Sequence, residues 1–376
     1  MKVLMVSDSI EGGGIGKVVY TLYQSLTMRG INVDIVCYQK LGENNEKAIR
    51  ISEDGNRLFY CPSVRESGPM RYVSVLQQLC AQGNYDVVHI HTSLMIFLAA
   101  FAAKRAGVSC RIGHAHGEKY FGLPNWILSV FEPVGRFLNN KYCNGFVSCT
   151  ERSAMYTFGH LGLRIPNYIS IGQLSELSDK EIQTIRGVWD PDGECILMAY
   201  AGCMEGTKNV VFLPHVIHAL KNRNVHVKLL VMGSGENYDV IQRLVMRMGL
   251  SNDVFLLGYR VDCKNILRAA DYYITASTTE GMSLSLIEAQ MYGKPCFASE
   301  LIPTENDLGT GLFQFITSFD AETWAETIAC SITNGLVPVP CSQAAAKAAE
   351  HGFSETKIIS TLLGMYCQIN SRPHQK

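Results

Sequence analysis

A chain of 376 residues is too long for one small module, and at roughly 150 residues per domain it predicts two, each with its own core. With 47% hydrophobic and 18% charged residues it is not a disordered chain, and thirteen scattered cysteines without a C-x-x-C pair argue for reduced thiols rather than a disulfide scaffold. The net charge of −1 hides an asymmetry, since residues 1–168 carry 17 Lys+Arg against 12 Asp+Glu and the remainder 16 against 22; neither half suggests nucleic acid.

Met1 to Val6 holds one positive charge and five apolar residues before Ser7-Asp8-Ser9, too short for a secretory core, so it reads as a first strand. Further short apolar runs follow at 32–38, 86–90, 111–114, 145–148, 195–200, 226–232, 254–257, 272–275 and 295–298. Longer helical patterns separate them; Val18, Val19, Leu22 and Leu26 form one stripe. Strand and helix in alternation imply α/β architecture with parallel sheets covered on both faces. The most apolar run, 94–103, is about half the ~20 residues a membrane-spanning helix needs. A mostly polar stretch at 167–192 separates two strand series, which places a domain boundary near Asn167: 1–168 and 169–355. Ile358, Ile359, Leu362, Leu363 and Tyr366 predict a last amphipathic helix at about 356–376, long enough to cross back to the first domain.

Ligands of open α/β sheets bind beyond the carboxyl ends of the strands, so chemistry is sought in the loops there. The first is Glu11-Gly12-Gly13-Gly14-Ile15-Gly16-Lys17. A phosphate-binding P-loop fails, because Glu11 and Val18 occupy the required Gly and Ser/Thr places; the G-x-G-x-x-G fingerprint fails at Lys17. What remains is a flexible loop that lets backbone approach a ligand, or a plain tight turn. His89-Ile-His91 and His114-Ala-His116 each place two imidazoles on one face of a strand end. That spacing suits a metal, but the nearest carboxylate is Glu118, and a single histidine lining a cleft, His116, is the better functional candidate. Gly202-Cys203-Met204-Glu205-Gly206-Thr207-Lys208-Asn209 and Met232-Gly233-Ser234-Gly235-Glu236 combine glycines with one lysine in a way that suits phosphate, although a lone lysine is commonly only solvated. Thr279-Glu280-Gly281-Met282-Ser283-Leu284-Ser285-Leu286-Ile287-Glu288 sets two carboxylates eight apart around three loop amides. They could flank one ligand. Equally, Ser285-x-x-Glu288 could be a capping box and Glu280 a solvated loop acid.

Taken in order, these stretches resemble the family 4 retaining glycosyltransferases of GT-B fold, particularly those of bacterial capsule and exopolysaccharide assembly. The resemblance runs through Gly12-Gly13-Gly14, Asp86-Val-Val-His-Ile-His91, Arg111-Ile-Gly-His-Ala-His-Gly117, Ile165-Pro-Asn167, Gly202 with Lys208-Asn209, Leu256-Leu-Gly258, Ala270-Asp271, Glu280 to Gln290 and Gly293-Lys-Pro-Cys296. It implies two Rossmann-like domains with parallel sheets facing across a cleft and the nucleotide sugar held mainly by the second. It further implies that Glu288 binds ribose hydroxyls, Glu280 lies by the donor sugar, Lys208 and the amides of Gly281, Met282 and Ser283 meet the diphosphate, and Gly258-Tyr259-Arg260 lies beside the base. His116 then reaches the donor sugar from the first domain, and Gly13-Gly14 covers the phosphates. The catalytic set is Glu280, His116 and Lys208, with no metal and no cofactor beyond the nucleotide sugar. Two residues depart from the family pattern: Cys203 stands where Arg is usual, and Tyr168 where Gly is usual.

Between Lys104 and Lys141, six Lys/Arg face only Glu118 and Glu132, interleaved with Tyr120, Phe121, Trp126, Phe131 and Phe137. Such a patch suits an anionic membrane and a lipid-diphosphate acceptor, or else a core helix with solvated charges. The expectation is a cytoplasmic enzyme, peripheral on the inner face of a bacterial plasma membrane, that transfers a sugar from a UDP-linked donor to a lipid-linked saccharide with retention. The alternative is a degenerate, non-catalytic partner that binds nucleotide or a sister transferase. A metal-dependent hydrolase built on the histidine pairs is a third.

Overall fold

The computed structural model describes residues 1–11, 13–42, 44–92, 95–117, 125–169 and 177–371, the side chains of 125–130 excepted. Gly12, Glu118, Lys119, Tyr120, Phe121 and the side chain of Trp126 lie outside the described residues. The chain divides into two units, Met1–Ser170 with Ser354–Lys376, and Ile171–Phe353.

The first unit is a parallel sheet of β1 (Lys2–Ser7), β2 (Asn32–Cys37), β3 (Leu58–Tyr60), β4 (Val87–Ile90), β5 (Cys110–Ala115), β6 (Gly145–Ser148) and β7 (Leu163–Arg164), ordered β3-β2-β1-β4-β5-β6-β7. Val3 to Val6 are wholly buried, as a strand covered by helices on both faces requires. Helix Gly13–Thr27 lays Val18, Val19, Leu22, Tyr23 and Leu26 on that sheet. Helix Glu355–Asn370 returns to the same unit, burying Ile358, Ile359, Leu362, Tyr366 and Ile369. Burying a leucine in this way contributes about 1.5–3 kcal/mol.

The second unit repeats the plan with β8 (Ile196–Ala201), β9 (Val227–Met232), β10 (Val254–Gly258), β11 (Tyr272–Thr275), β12 (Cys296–Ser299) and β13 (Phe313–Ile316), ordered β10-β9-β8-β11-β12-β13. Both orders reverse beside the first strand of the unit. A crevice therefore opens at the carboxyl ends of β1 and β4 in one unit and of β8 and β11 in the other. All the charged and imidazole candidates except Arg260 follow one of these four strands or the neighbouring β5.

Ten strands coincide with the apolar runs of the sequence. β3, β7 and β13 do not, being short strands at or near sheet edges where burial on two faces is not required. The polar stretch at 167–192 holds helix Asp179–Arg186, closed at its start by a capping box between Ser178 and Glu181. Its Arg186 donates to Asp271 at 2.8 Å. The thirteen cysteines are free thiols. Among the described residues no helix is long and apolar enough to cross a membrane.

Candidate active site

In the second unit the loop after β8 turns through a 3-10 turn, Gly206–Lys208, that ends at Asn209 in the left-handed conformation. Thr278 donates its N–H to the Thr207 carbonyl at 2.8 Å, tying this turn to the loop after β11. Lys208 is thereby brought to Glu280, with Nζ 2.6 Å from Oε2. The other carboxylate oxygen accepts from Ser277 Oγ at 2.8 Å. Glu280 is thus a fixed acid with a 10% exposed side chain, and its reading as a solvated loop acid is excluded.

The capping-box reading of Glu288 fails too. Helix Leu284–Met291 starts after Ser283, not Ser285, and has no side-chain cap. Ser285 instead accepts the Tyr273 hydroxyl at 2.7 Å. Glu288 is 6% exposed, and no described residue hydrogen-bonds its carboxylate. Its oxygens are not sealed from solvent, so in the free protein water can pair them, and the hydroxyls of a ligand can take that place. Of the three loop amides, that of Ser283 is already engaged, donating to Asn306 Oδ1 at 2.8 Å. Asn306 also donates to the Gly281 carbonyl, so it clamps the loop at both ends.

The glycines of the second loop pair have a different role from phosphate contact. Gly233 has φ +140°, and a Cβ there would lie 1.8 Å from the Gly202 carbonyl oxygen; one on Gly235 would lie 2.7 Å from the Met204 backbone. They are glycines because two loops pack backbone on backbone, joined by the Met204 N–H to the Ser234 carbonyl at 2.9 Å. Cys203 is partly buried, with its thiol pushed up by burial and drawn back by the nearby Lys208 charge. Gly258 ends β10 at φ +64°, Tyr259 is 80% exposed, and Arg260 makes a two-pronged contact with Asp262 at 2.8 and 2.7 Å.

In the first unit Gly13 has φ +70° and opens its helix with open space around it, as does Gly14. The four histidines at the ends of β4 and β5 form a stack, with ring centroids 4.1 Å apart for His89 and His91 and for His114 and His116. Burial holds all four imidazoles neutral, with His116 lowered to about 3. One nitrogen from each of His89, His91 and His114 lies within 4.8 Å of the others, the spacing of a possible metal site. However, His89 has both nitrogens engaged, Nδ1 with the Tyr366 hydroxyl at 2.6 Å and Nε2 with His114 Nδ1 at 3.1 Å. A cation would have to displace the latter bond, and among the described residues no carboxylate joins the cluster to balance its charge.

Residues 196–334 match the family described as Glycosyl transferases group 1, and residues 13–155 that described as Glycosyl transferase 4-like domain. The chain belongs to the family 4 glycosyltransferases, and its fold is GT-B. Among relatives of this glycosyltransferase, EpsF of Bacillus subtilis is 28% identical over 347 residues, covering 89% of this chain and 88% of EpsF. The UDP-Gal:alpha-D-GlcNAc-diphosphoundecaprenol alpha-1,3-galactosyltransferase of Escherichia coli is 23% identical over 77% of this chain and 76% of its own. Among solved structures, Anabaena HepE in complex with UDP and glucose superimposes with a TM-score of 0.79 at 19% identity, covering 98% of this chain and all of that one. Ser277, Asn306 and Tyr366 are the residues near these candidates that sequence reading missed. Ser277 closes an apolar run and could have been noticed; Asn306 and Tyr366 carry no local signal, because their partners lie 23 to 277 positions away.

Proposed function

We propose that this glycosyltransferase takes a sugar from a UDP-linked donor and passes it, with retention and without a metal ion, to a saccharide carried on a lipid diphosphate during capsule or exopolysaccharide assembly. One observation carries the reading: the loop that fixes Glu280 against Lys208 leads directly into the helix that carries Glu288, whose carboxylate no described residue engages. The unengaged Glu288 carboxylate suits two ribose hydroxyls, and the lysine suits the diphosphate. In the transfer, the bond from the sugar's anomeric carbon to the diphosphate oxygen breaks and the acceptor hydroxyl forms its bond on the same face. The departing diphosphate oxygen takes the hydroxyl proton, while Lys208 offsets the charge that develops there. Glu280, released from Lys208 by the incoming diphosphate, is free to meet sugar hydroxyls. The names of the Escherichia coli relative and of Staphylococcus aureus CapH, 23% identical over 76% of this chain, support a lipid-linked acceptor and a capsular setting.

The test is turnover of a panel of nucleotide sugars with a lipid-diphosphate saccharide, read by the anomeric configuration of the product. A retained product whose rate survives EDTA is expected. Inversion, or activity lost to EDTA and restored by Mn²⁺, overturns the mechanism; a chain that binds UDP but turns over no donor is the degenerate partner. For the membrane, helix Asn125–Tyr142 carries Phe131, Val134 and Phe137 at 63, 51 and 65% exposure with Arg136 and Lys141 beside them. Salt-sensitive binding to anionic vesicles is expected, lost on combined Phe131→Ser, Phe137→Ser and Lys141→Ser. Equal binding of the triple variant would make this face an ordinary solvated one.

A further inference from the structure

A groove lies wholly within the first unit, at the edge of its sheet, and none of its lining residues belongs to the candidate active site. It has a volume of about 950 Å³ and runs beside β3, between the loop that follows β2 and helix Glu46–Glu53. Ligand sites typically span ~300–1,000 Å³, so this is the size of a binding site rather than of a packing flaw. Lys40 follows β2 and Tyr60 ends β3, so the groove reaches the carboxyl end of the sheet, two strands to the side of β1 and about 10 Å across from it.

The lining combines an aromatic ring, cations and hydroxyl-type partners. Tyr60 is 40% exposed, and Lys40 Nζ lies 5.0 Å from the centroid of its ring. Among the described residues nothing accepts a hydrogen bond from that ammonium or forms an ion pair with it. Glu66 is near enough to feel its charge, yet spends its carboxylate on the N–H and hydroxyl of Ser63, at 2.7 and 2.8 Å. Arg57 is fixed differently, because buried Asp34 accepts from its Nε at 3.2 Å and its Nη2 at 2.8 Å. That pairing balances the guanidinium charge and leaves Nη1 as a directed donor without a described acceptor. The helix adds Ser52 and Glu53, the latter only 4.0 Å from Arg50 between two exposed side chains.

An apolar ligand would strip water from Lys40 and Arg57 and return no acceptor, which is unfavourable. A bare anion would leave the ring and the helix side chains unused. A sugar meets all of them. Its C–H bonds carry slight positive charge and pack against an aromatic face as cations do, while its hydroxyls pair with Ser52, Glu53 and Arg57 Nη1. A carboxylate on the sugar pairs with Lys40, and because that ammonium sits over Tyr60 the pairing draws the sugar to the ring. We propose that this groove binds an acidic saccharide, a chain whose sugars bear carboxylates, and holds acceptor sugars beyond the one that reacts. The use by the acceptor rests on the proposed function; the binding does not.

The test is calorimetric titration of the full chain, with and without saturating UDP, using tetragalacturonate, maltotetraose and inorganic phosphate as probes. Tetragalacturonate is expected to bind equally in both conditions and more tightly than maltotetraose or phosphate. Tyr60→Ala and Lys40→Ala, at exposed positions, should each weaken it roughly tenfold, whereas Tyr60→Phe keeps the ring and the affinity. Absence of tetragalacturonate binding, its displacement by UDP, or an affinity untouched in both alanine variants overturns the site. Phosphate bound as tightly as the saccharide would reduce the groove to an anion site. Maltotetraose bound as tightly, with Lys40→Ala neutral, would overturn the preference for an acidic chain. If the titrations follow the expectation but neither alanine variant raises the acceptor KM in the turnover assay, the saccharide site stands and its use by the acceptor falls.

Discussion

Lys208 and Glu280 bond at 2.6 Å while Cys203 sits close enough for the lysine charge to act on its thiol. On the proposed reading, a diphosphate entering this loop would meet Lys208 alone where the family pattern adds an arginine at 203. Lys208→Ala should remove a charge-assisted contact of about 1.5–3 kcal/mol and weaken UDP binding by one to two decades, measured by calorimetry. An unchanged affinity would take Lys208 out of the site. Arg260 does not replace the missing cation, since its guanidinium is held by Asp262 at the surface. Cys203→Arg should therefore tighten UDP binding by about one decade. Weaker binding would show that another group already fills that place. At this scale the sequence showed which residue types meet. It did not separate Glu288 as a capping residue from Glu288 as a ligand acid, because that turns on where the helix begins and on Asn306, eighteen positions downstream.

Loops at strand ends carry nearly all of this chemistry, and the strands that position them were readable because parallel strands covered on both faces need unbroken apolar runs. β3 and β13, at sheet edges, and the two-residue β7 escape that requirement, and helix Asp179–Arg186 buries none of its residues, so no periodic stripe announces it; only Ser178 and Glu181 do. The histidine pairs show what such a reading reaches at the level of elements. Spacing of two placed each pair on one face, but the pairing across β4 and β5 depends on sheet register, which apolar patterning leaves open. That pairing has a pH signature. The four folded-state values are depressed below the ordinary ~6.5, so the unfolded chain binds more protons as pH falls through that value. Stability is then fully present above pH 6.5 and lost below it, by about 1.4 kcal/mol per pH unit for each histidine kept neutral. A urea midpoint that stays flat between pH 7.5 and 5.5 would mean that the cluster protonates in the folded state.

For the molecule as a whole, two segments of chain leave the first unit for the second, after Ser170 and before Ser354, and both are anchored to one side chain. Tyr168 donates its hydroxyl to Ser25 Oγ at 2.8 Å, and Ser25 donates to Glu355 Oε1 at 2.8 Å. Arg29 lies 3.6 Å from the same carboxylate. Ser25 belongs to helix Gly13–Thr27, whose first turn carries Gly13 and Gly14, so within the first unit this helix joins the residues that flank its two chain boundaries. Here the departure from the family pattern has a structural role, because a glycine at 168 could neither fill this space nor reach Ser25. Tyr168 is 5% exposed, and its replacement separates two contributions. Tyr168→Phe removes one buried hydrogen bond and should cost about 0.5–1.5 kcal/mol. Tyr168→Gly removes the ring as well and should cost at least the 3–5 kcal/mol typical of large aromatic truncations in a core. Urea unfolding followed by circular dichroism measures both. If Tyr168→Phe matches wild type while Tyr168→Gly is strongly destabilised, the ring alone stabilises this part of the first unit and the Ser25 network contributes nothing; if both match wild type, Tyr168 has no structural role there.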